Sequence, residues 1–166
     1  MPYALLLLAS LAQSPAPLTA FQGTWELDPA ASDDLAPLAK ALGFSSWVLA
    51  LAPKRPVQEL AVEAQTLSVT GTGVRGRRTE RFTVDGPATK SELLGRPFEV
   101  STSVQHGVLE SRGTIEVDGK RTPFCLKRSI LASAMRLEIE VGELRALRVF
   151  MSAAVPADPP SYVLKA

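Results

Sequence analysis

From Val57 to Met151 the chain reads as short strands and tight turns in regular succession, and this constrains its fold more than any other feature. Apolar and polar residues alternate with the period of two that a half-buried strand requires. Met135, Leu137, Ile139 and Val141 alternate with Arg136, Glu138 and Glu140, the clearest case. Leu60 and Val62 oppose Glu59 and Glu63, and Phe98, Val100, Thr102 and Val104 share one face. The strands are punctuated at Asp85-Gly86, Gly95, His106-Gly107, Asp118-Gly119 and Gly142-Glu143. These residue types accept the backbone that hairpin turns demand. Turn signals about every ten residues, with no long helical pattern among them, predict a meander. Counting Phe21–Leu27 as an opening strand, the pattern gives ten strands.

Between the first strand and the meander, two brief helices are expected. Ser32 precedes Asp33-Asp34, a composition suited to a helix start. Leu35, Leu38 and Leu42 then form one apolar stripe that Gly43 ends. A second helix begins near Ser45 or Ser46, carries Trp47, Val48, Leu49 and Leu51, and stops at Pro53. Helices this short do not hold alone. Lying across the mouth of a barrel, they would form its lid. The fold class expected is therefore all-β with a short helical lid: a ten-stranded antiparallel up-and-down β-barrel with a helix-turn-helix between strands one and two. Ten strands enclose more room than eight, so a hollow interior is expected.

The 166 residues carry 18 Lys+Arg against 17 Asp+Glu, a net charge of +1, which gives no field for nucleic acid. Cys125 is the only cysteine, which excludes an internal disulfide and a multi-thiolate metal site, and His106 is the only histidine, so metal, haem and Ser-His-Asp chemistry start from a weak position. His106 beside Gly107 is expected as a turn residue. No cofactor and no metal are expected. Ala4–Ala12 is too short to span a bilayer but has the length of a signal-peptide core, with Ser10-Leu11-Ala12 as the cleavage site. Residues 1–12 are expected as a signal peptide, 13–20 as a spacer, 21–151 as one barrel domain with its lid at 32–52, and 152–166 as a flexible tail. Secretion or a periplasmic location follows, although the run lacks the usual preceding Lys or Arg. A retained leader leaves a cytoplasmic protein as the alternative.

Five segments in this order resemble the fatty-acid-binding proteins, the intracellular lipid-binding branch of the calycins, over Phe21 to Met151. They are Phe21-Gln22-Gly23-Thr24-Trp25, Leu38-Ala39-Lys40-Ala41-Leu42-Gly43, Asp118-Gly119-Lys120, Lys127-Arg128 and Leu147-Arg148-Val149-Phe150. The resemblance implies that an arginine on the eighth strand and an Arg-x-Tyr on the last bind a lipid carboxylate. Arg148 matches the second, with Phe150 in the tyrosine position and one hydrogen bond fewer. Arg128 matches the first if two extra residues precede it. Export departs from a family that is normally cytosolic.

The candidate headgroup residues are thus Arg148 and Arg128, which an acidic ligand would neutralise if both point inward. The other orientation sets Arg148 on a solvated face with Arg136 and Arg145. Phe82, Phe98, Phe124, Leu126, Leu137, Ile139 and Phe150 would line the tail cavity. Leu38, Leu42 and Trp47 belong to the lid. Arg75, Arg77, Arg78 and Arg81 gather at a glycine-bent turn, as a portal for anionic headgroups or simply as a solvated turn. The function expected is non-enzymatic carriage of a small hydrophobic or amphipathic ligand by a monomer, with transient contact at an anionic membrane surface. A protein-binding module or periplasmic inhibitor is the alternative. An isomerase or cyclase acting on a lipid would need acids such as Glu99, Glu110 or Glu116.

Overall fold

The computed structural model describes residues 17–73, 76–93 and 96–153. The expected signal peptide, the start of the spacer, Arg75 and the tail beyond 153 lie outside these residues. The strands are β1 (Gly23–Leu27), β2 (Val57–Glu63), β3 (Thr66–Gly73), β4 (Gly76–Thr83), β5 (Thr89–Leu93), β6 (Arg96–Gln105), β7 (Val108–Val117), β8 (Lys120–Leu131), β9 (Ala134–Val141) and β10 (Leu144–Ser152). The helices α1 (Ala36–Ala41) and α2 (Ser46–Ala50) fall between β1 and β2. All strand pairs are antiparallel, in the order β4-β3-β2-β1-β10-β9-β8-β7-β6-β5. Because β1 pairs with both β2 and β10, the first and last strands meet and the sheet curls into a nearly closed barrel.

One seam stays open. Asp85-Gly86 has the composition of a hairpin turn, yet β4 and β5 are the two ends of the sheet and share no ladder. Asp85 does adopt a positive φ of 54°. The chain there departs from β4 instead of folding back on it: Val84 forms an isolated bridge with Thr102, and the Asp85 amide donates to the Thr102 carbonyl at 2.8 Å. Side chains stitch the seam, with the Thr83 amide donating to Thr89 Oγ1 at 3.3 Å and Ser91 Oγ donating to Glu80 Oε1 at 3.2 Å. The other three turns expected from dipeptides, His106-Gly107, Asp118-Gly119 and Gly142-Glu143, are true hairpins. Both His106-Gly107 and Asp118-Gly119 have positive φ at each residue, the backbone of a tight two-residue connection.

The start of the chain also differs from the sequence expectation. Leu18–Phe21 form a 3-10 turn, and the strand begins only at Gly23, whose φ of 145° bends the backbone. The turn drops Phe21 into the closed end of the barrel with no exposure, and Trp25 Nε1 donates to its carbonyl at 2.9 Å. Phe21 and Trp25 together plug that end. The helix expected at Ser32 starts later, with Leu35 at its N-cap and an Asp34 Oδ1 bond from the Ala36 amide. Pro37 is accommodated in the first turn, where no helical N–H is lost.

Inward-facing side chains form two apolar clusters. The closed end holds Phe21, Trp25, Leu67, Phe82, Leu109, Met135, Leu137 and Phe150. The lid end holds Leu38 and Leu42 of α1 against Ile115 and Ala146, with Phe44, Phe98 and Phe124 beside them. The hollow interior expected from strand number is therefore only half present, because large side chains fill the closed end.

Candidate functional site: two cavities beneath the lid

The lid end encloses a cavity of about 330 Å³. Its roof is Leu35, Leu38, Ala39 and Leu42 with Phe44, and its walls include Phe82, Phe98, Phe124, Leu126 and Ile139. Phe98 and Phe124 meet edge to face at 5.5 Å. Only Glu80 and Ser111 bring polar side chains to the lining. The strand alternation defines a floor. One inward position deeper than Phe82, Val100, Ser111, Leu126 and Ile139 stand Val84, Thr102, Leu109, Arg128 and Leu137 respectively. All five are 5% exposed or less. Thr102 and Ser111 satisfy each other through a hydroxyl–hydroxyl bond of 2.8 Å.

Arg128 is the exception in that floor. It is a charged residue in an apolar layer, its Nε is buried without a hydrogen-bond partner, and no described residue hydrogen-bonds its guanidinium. Burial pushes its pKa down to about 10, opposed by the nearby Glu80 carboxylate. Glu80 is divided among neighbours, lying 3.2 Å from Arg78 Nη2 and accepting from Ser91.

A second cavity of about 870 Å³ lies at the mouth, between the helices and the β3–β4 turn. Leu35, Ala39 and Phe44 border both cavities. Arg148 lines the mouth and stands on the inward face of β10 with Ala146 and Phe150. Its Nη1 donates to the Asp33 carbonyl at 3.2 Å. Partial burial lowers its pKa, while Asp34 and Asp33 act in the opposite direction. Arg128 and Arg148 are both in register with Leu137, one on each side. Their backbones are thus two strand spacings apart, about 10 Å. The two arginines belong to different places: one to the cavity floor, the other to the mouth.

Of the predicted wall residues, Phe82, Phe98, Phe124, Leu126 and Ile139 line the inner cavity, as do Leu38 and Leu42. Leu137 and Phe150 do not; they sit in the filled closed end. Trp47 turns away from the barrel and is 67% exposed. Arg77 and Arg78 line the mouth, Arg77 paired with Glu59 at 2.5 Å, while Arg81 is exposed on β4. Glu99, Glu110 and Glu116 occupy the outward parity of β6 and β7, and Glu110 is taken by Arg112. His106 stands in its turn with a φ of 51°. Cys125 faces outward beneath Arg112 and Glu140, where burial raises its thiol pKa. Among the described residues no cluster of His, Cys, Asp and Glu could hold a metal, and no helix is long and apolar enough to cross a membrane.

Glu80 and Ser32 escaped the sequence reading. Inward parity in Gly76-x-Arg78-x-Glu80-x-Phe82 marks Glu80, but the arginine-rich composition disguises that strand as a surface turn. Ser32 looks like a helix cap, yet its hydroxyl accepts from the Val149 amide at 2.9 Å and donates to the Asp28 carbonyl at 2.6 Å.

The lidded ten-stranded barrel, its seam and its cavity under the helices define the fatty-acid-binding-protein type of fold. In particular, the chain is similar to a "REP1-NXSQ fatty acid transporter", with a TM-score of 0.69, 16% identity, and 82% of this chain and 98% of that one covered. It is also similar to lipid binding protein 8 of Caenorhabditis elegans, with a TM-score of 0.71, 13% identity, and 82% and 98% covered. Fatty-acid-binding protein 1 of Echinococcus granulosus gives 0.69, 17%, and 82% and 100%. No protein-family model matches the chain, and no curated protein does.

Proposed function

We propose that this protein binds and carries a small amphipathic acid, with the tail in the inner cavity and the headgroup on an inward arginine. The observation that carries the reading is Arg128: a buried guanidinium without a hydrogen-bond partner, one inward position on β8 beyond Leu126, which lines the apolar cavity. A charge so placed is destabilising until something satisfies it, and a carboxylate accepting two N–H bonds does so. The solved structures of this fold whose names mention fatty acids or lipids support the same ligand class. Arg148 offers a second cation at the mouth, which an arriving headgroup meets first.

A carrier fits better than an enzyme because Glu99, Glu110 and Glu116 face outward, and Glu80, the acid that does line the cavity, is engaged by Arg78 and Ser91. An inhibitor needs no hollow, and the roofed cavity counts against it. Contact with an anionic membrane during loading is favoured by Trp47 and Leu51, both exposed on α2 and its cap, followed by Lys54 and Arg55. The test is calorimetric titration with a fatty acid and the alcohol of equal length. The acid should bind about tenfold or more tightly, and Arg128→Met should abolish that difference. Equal binding of acid and alcohol by the unaltered protein would remove the headgroup role.

A further inference from the structure

The wall of the inner cavity carries a carboxylate that a plain hydrocarbon tail does not satisfy. Its two polar side chains, Glu80 and Ser111, differ in how they are served. Ser111 Oγ bonds Thr102 Oγ1 at 2.8 Å, and that pair meets its own need. Glu80 is less well provided. A carboxylate can accept about four hydrogen bonds. Among the described residues Glu80 accepts one, from Ser91 Oγ to Oε1, and Arg78 Nη2 approaches that same oxygen at 3.2 Å. Oε2 receives no hydrogen bond from a described residue. The inward parity of β4 sets this part-buried group on the wall, one inward position nearer the lid than Phe82. A hydrocarbon tail laid against Oε2 excludes water and brings no donor, which is costly for a carboxylate oxygen. A tail with a hydroxyl at that point removes the cost.

We infer that the ligand is a hydroxylated acid, with its carboxylate on the inward arginine and a hydroxyl, set back along the tail, donating to Glu80. This rests on the acid-carrier reading above and names the ligand class within it. Charge favours a hydroxyl over an amine. Arg78 and Arg128 already act on Glu80. An ammonium would bring a third cation to one carboxylate, whereas a hydroxyl brings a donor without a charge. Spacing sets the hydroxyl apart from the acid. Glu80 stands two inward positions along the chain from Val84, which lies at the level of Arg128. At 3.3 Å per residue that is a backbone rise of about 13 Å. A hydroxyl on the carbon beside the carboxylate therefore stays with the arginine, and one farther along the tail reaches Glu80.

The experiment is calorimetric titration of the full chain with dodecanoate and with its monohydroxy isomers, the hydroxyl placed beside the acid, at mid-chain or at the far end. The mid-chain or the far-end isomer should bind about tenfold more tightly than dodecanoate, and the isomer hydroxylated beside the acid should gain less. Glu80→Leu removes the acceptor and keeps an apolar wall. It should reverse the preference: dodecanoate binds at least as well as before, and the favoured isomer binds about tenfold more weakly than dodecanoate. Glu80→Gln keeps an acceptor oxygen without the charge, should retain part of the preference, and serves if Glu80→Leu does not fold. Three results overturn the hydroxyl assignment while leaving the carrier reading intact. One is that dodecanoate binds and no isomer binds more tightly. Another is a preference undiminished in either folded variant. The third is equal weakening of every ligand by Glu80→Leu, which would assign Glu80 to the seam alone. Failure of dodecanoate and all its isomers to bind overturns the carrier reading itself.

Discussion

At the scale of single residues, Arg128 concentrates the competing demands on this protein. Its folded pKa, about 10, lies below that of an exposed guanidinium, so the unfolded chain holds that proton more firmly. Between the two values the unfolded state binds more protons, and stability contributed by this group rises with pH. Below pH 10 the cost of its charge is constant and fully present, so no pH dependence from Arg128 is expected near neutrality. Arg128→Met should therefore stabilise the ligand-free protein by about 1–3 kcal/mol, seen as a rise in Tm of several degrees. Acid binding should fall in the same variant. A lower Tm for the folded Met variant would mean that Glu80 already compensates the arginine. The inward parity of Arg128 was legible in Phe124-x-Leu126-x-Arg128-x-Ile130, because alternation reports facing. Its lack of a partner was not, since that depends on Glu80 arriving from a strand more than forty positions away and being shared with Arg78 and Ser91.

At the scale of elements, the lid is tied down less by its helices than by the segment leading into α1. Where β1 leaves β10, Asp28 to Asp33 takes over the exposed strand edge. The Asp28 amide donates to the Val149 carbonyl and the Asp33 amide to the Leu147 carbonyl, both at 2.8 Å. In return, the Leu147 amide donates to Asp33 Oδ2 at 2.7 Å and the Val149 amide to Ser32 Oγ. Ser32→Ala and Asp33→Ala should each cost about 0.5–1.5 kcal/mol in urea unfolding. The double variant should lose less than the sum, because both anchor one segment. Strict additivity would mean that the contacts act separately. Sequence reasoning assigned both side chains to a helix cap, a role with the same residue preferences. Only the proximity of β10, set by closure of the whole barrel, distinguishes the two. The outer side of the lid carries a separate prediction: with anionic vesicles, Trp47 emission should shift to the blue, whereas uncharged vesicles should leave it unchanged. Trp47→Phe should remove the shift, because Trp25 is buried in the closed end. A shift that persists in Trp47→Phe would exclude the lid as the contact.

At the scale of the whole molecule, the barrel is two half-structures sharing ten strands. Ten strands and most of their turns were legible because period-two alternation and Asp-Gly or His-Gly dipeptides are local, but Asp85-Gly86 reads as a hairpin and instead spans the open seam. How the interior is divided was not, because volume depends on side chains from many strands meeting at one level. The closed end, with its aromatic plug and fully paired β7, β8 and β9, has the buried apolar area that resists local opening. The lid end has a cavity, two helices of six and five residues, and the seam where β4 and β5 exchange only side-chain bonds. Amide hydrogen exchange should therefore be slowest in β7 to β9 and fastest in α1, α2 and β5. Opening the fast set should require a fraction of the global unfolding energy. Saturation with a fatty acid should slow exchange in α1 and along the seam, since the tail fills the space beneath them, while the closed-end strands change only through the global term. Uniform slowing of all ten strands would show a barrel that opens as one unit, and the ligand would then act on the fold as a whole and not through its lid.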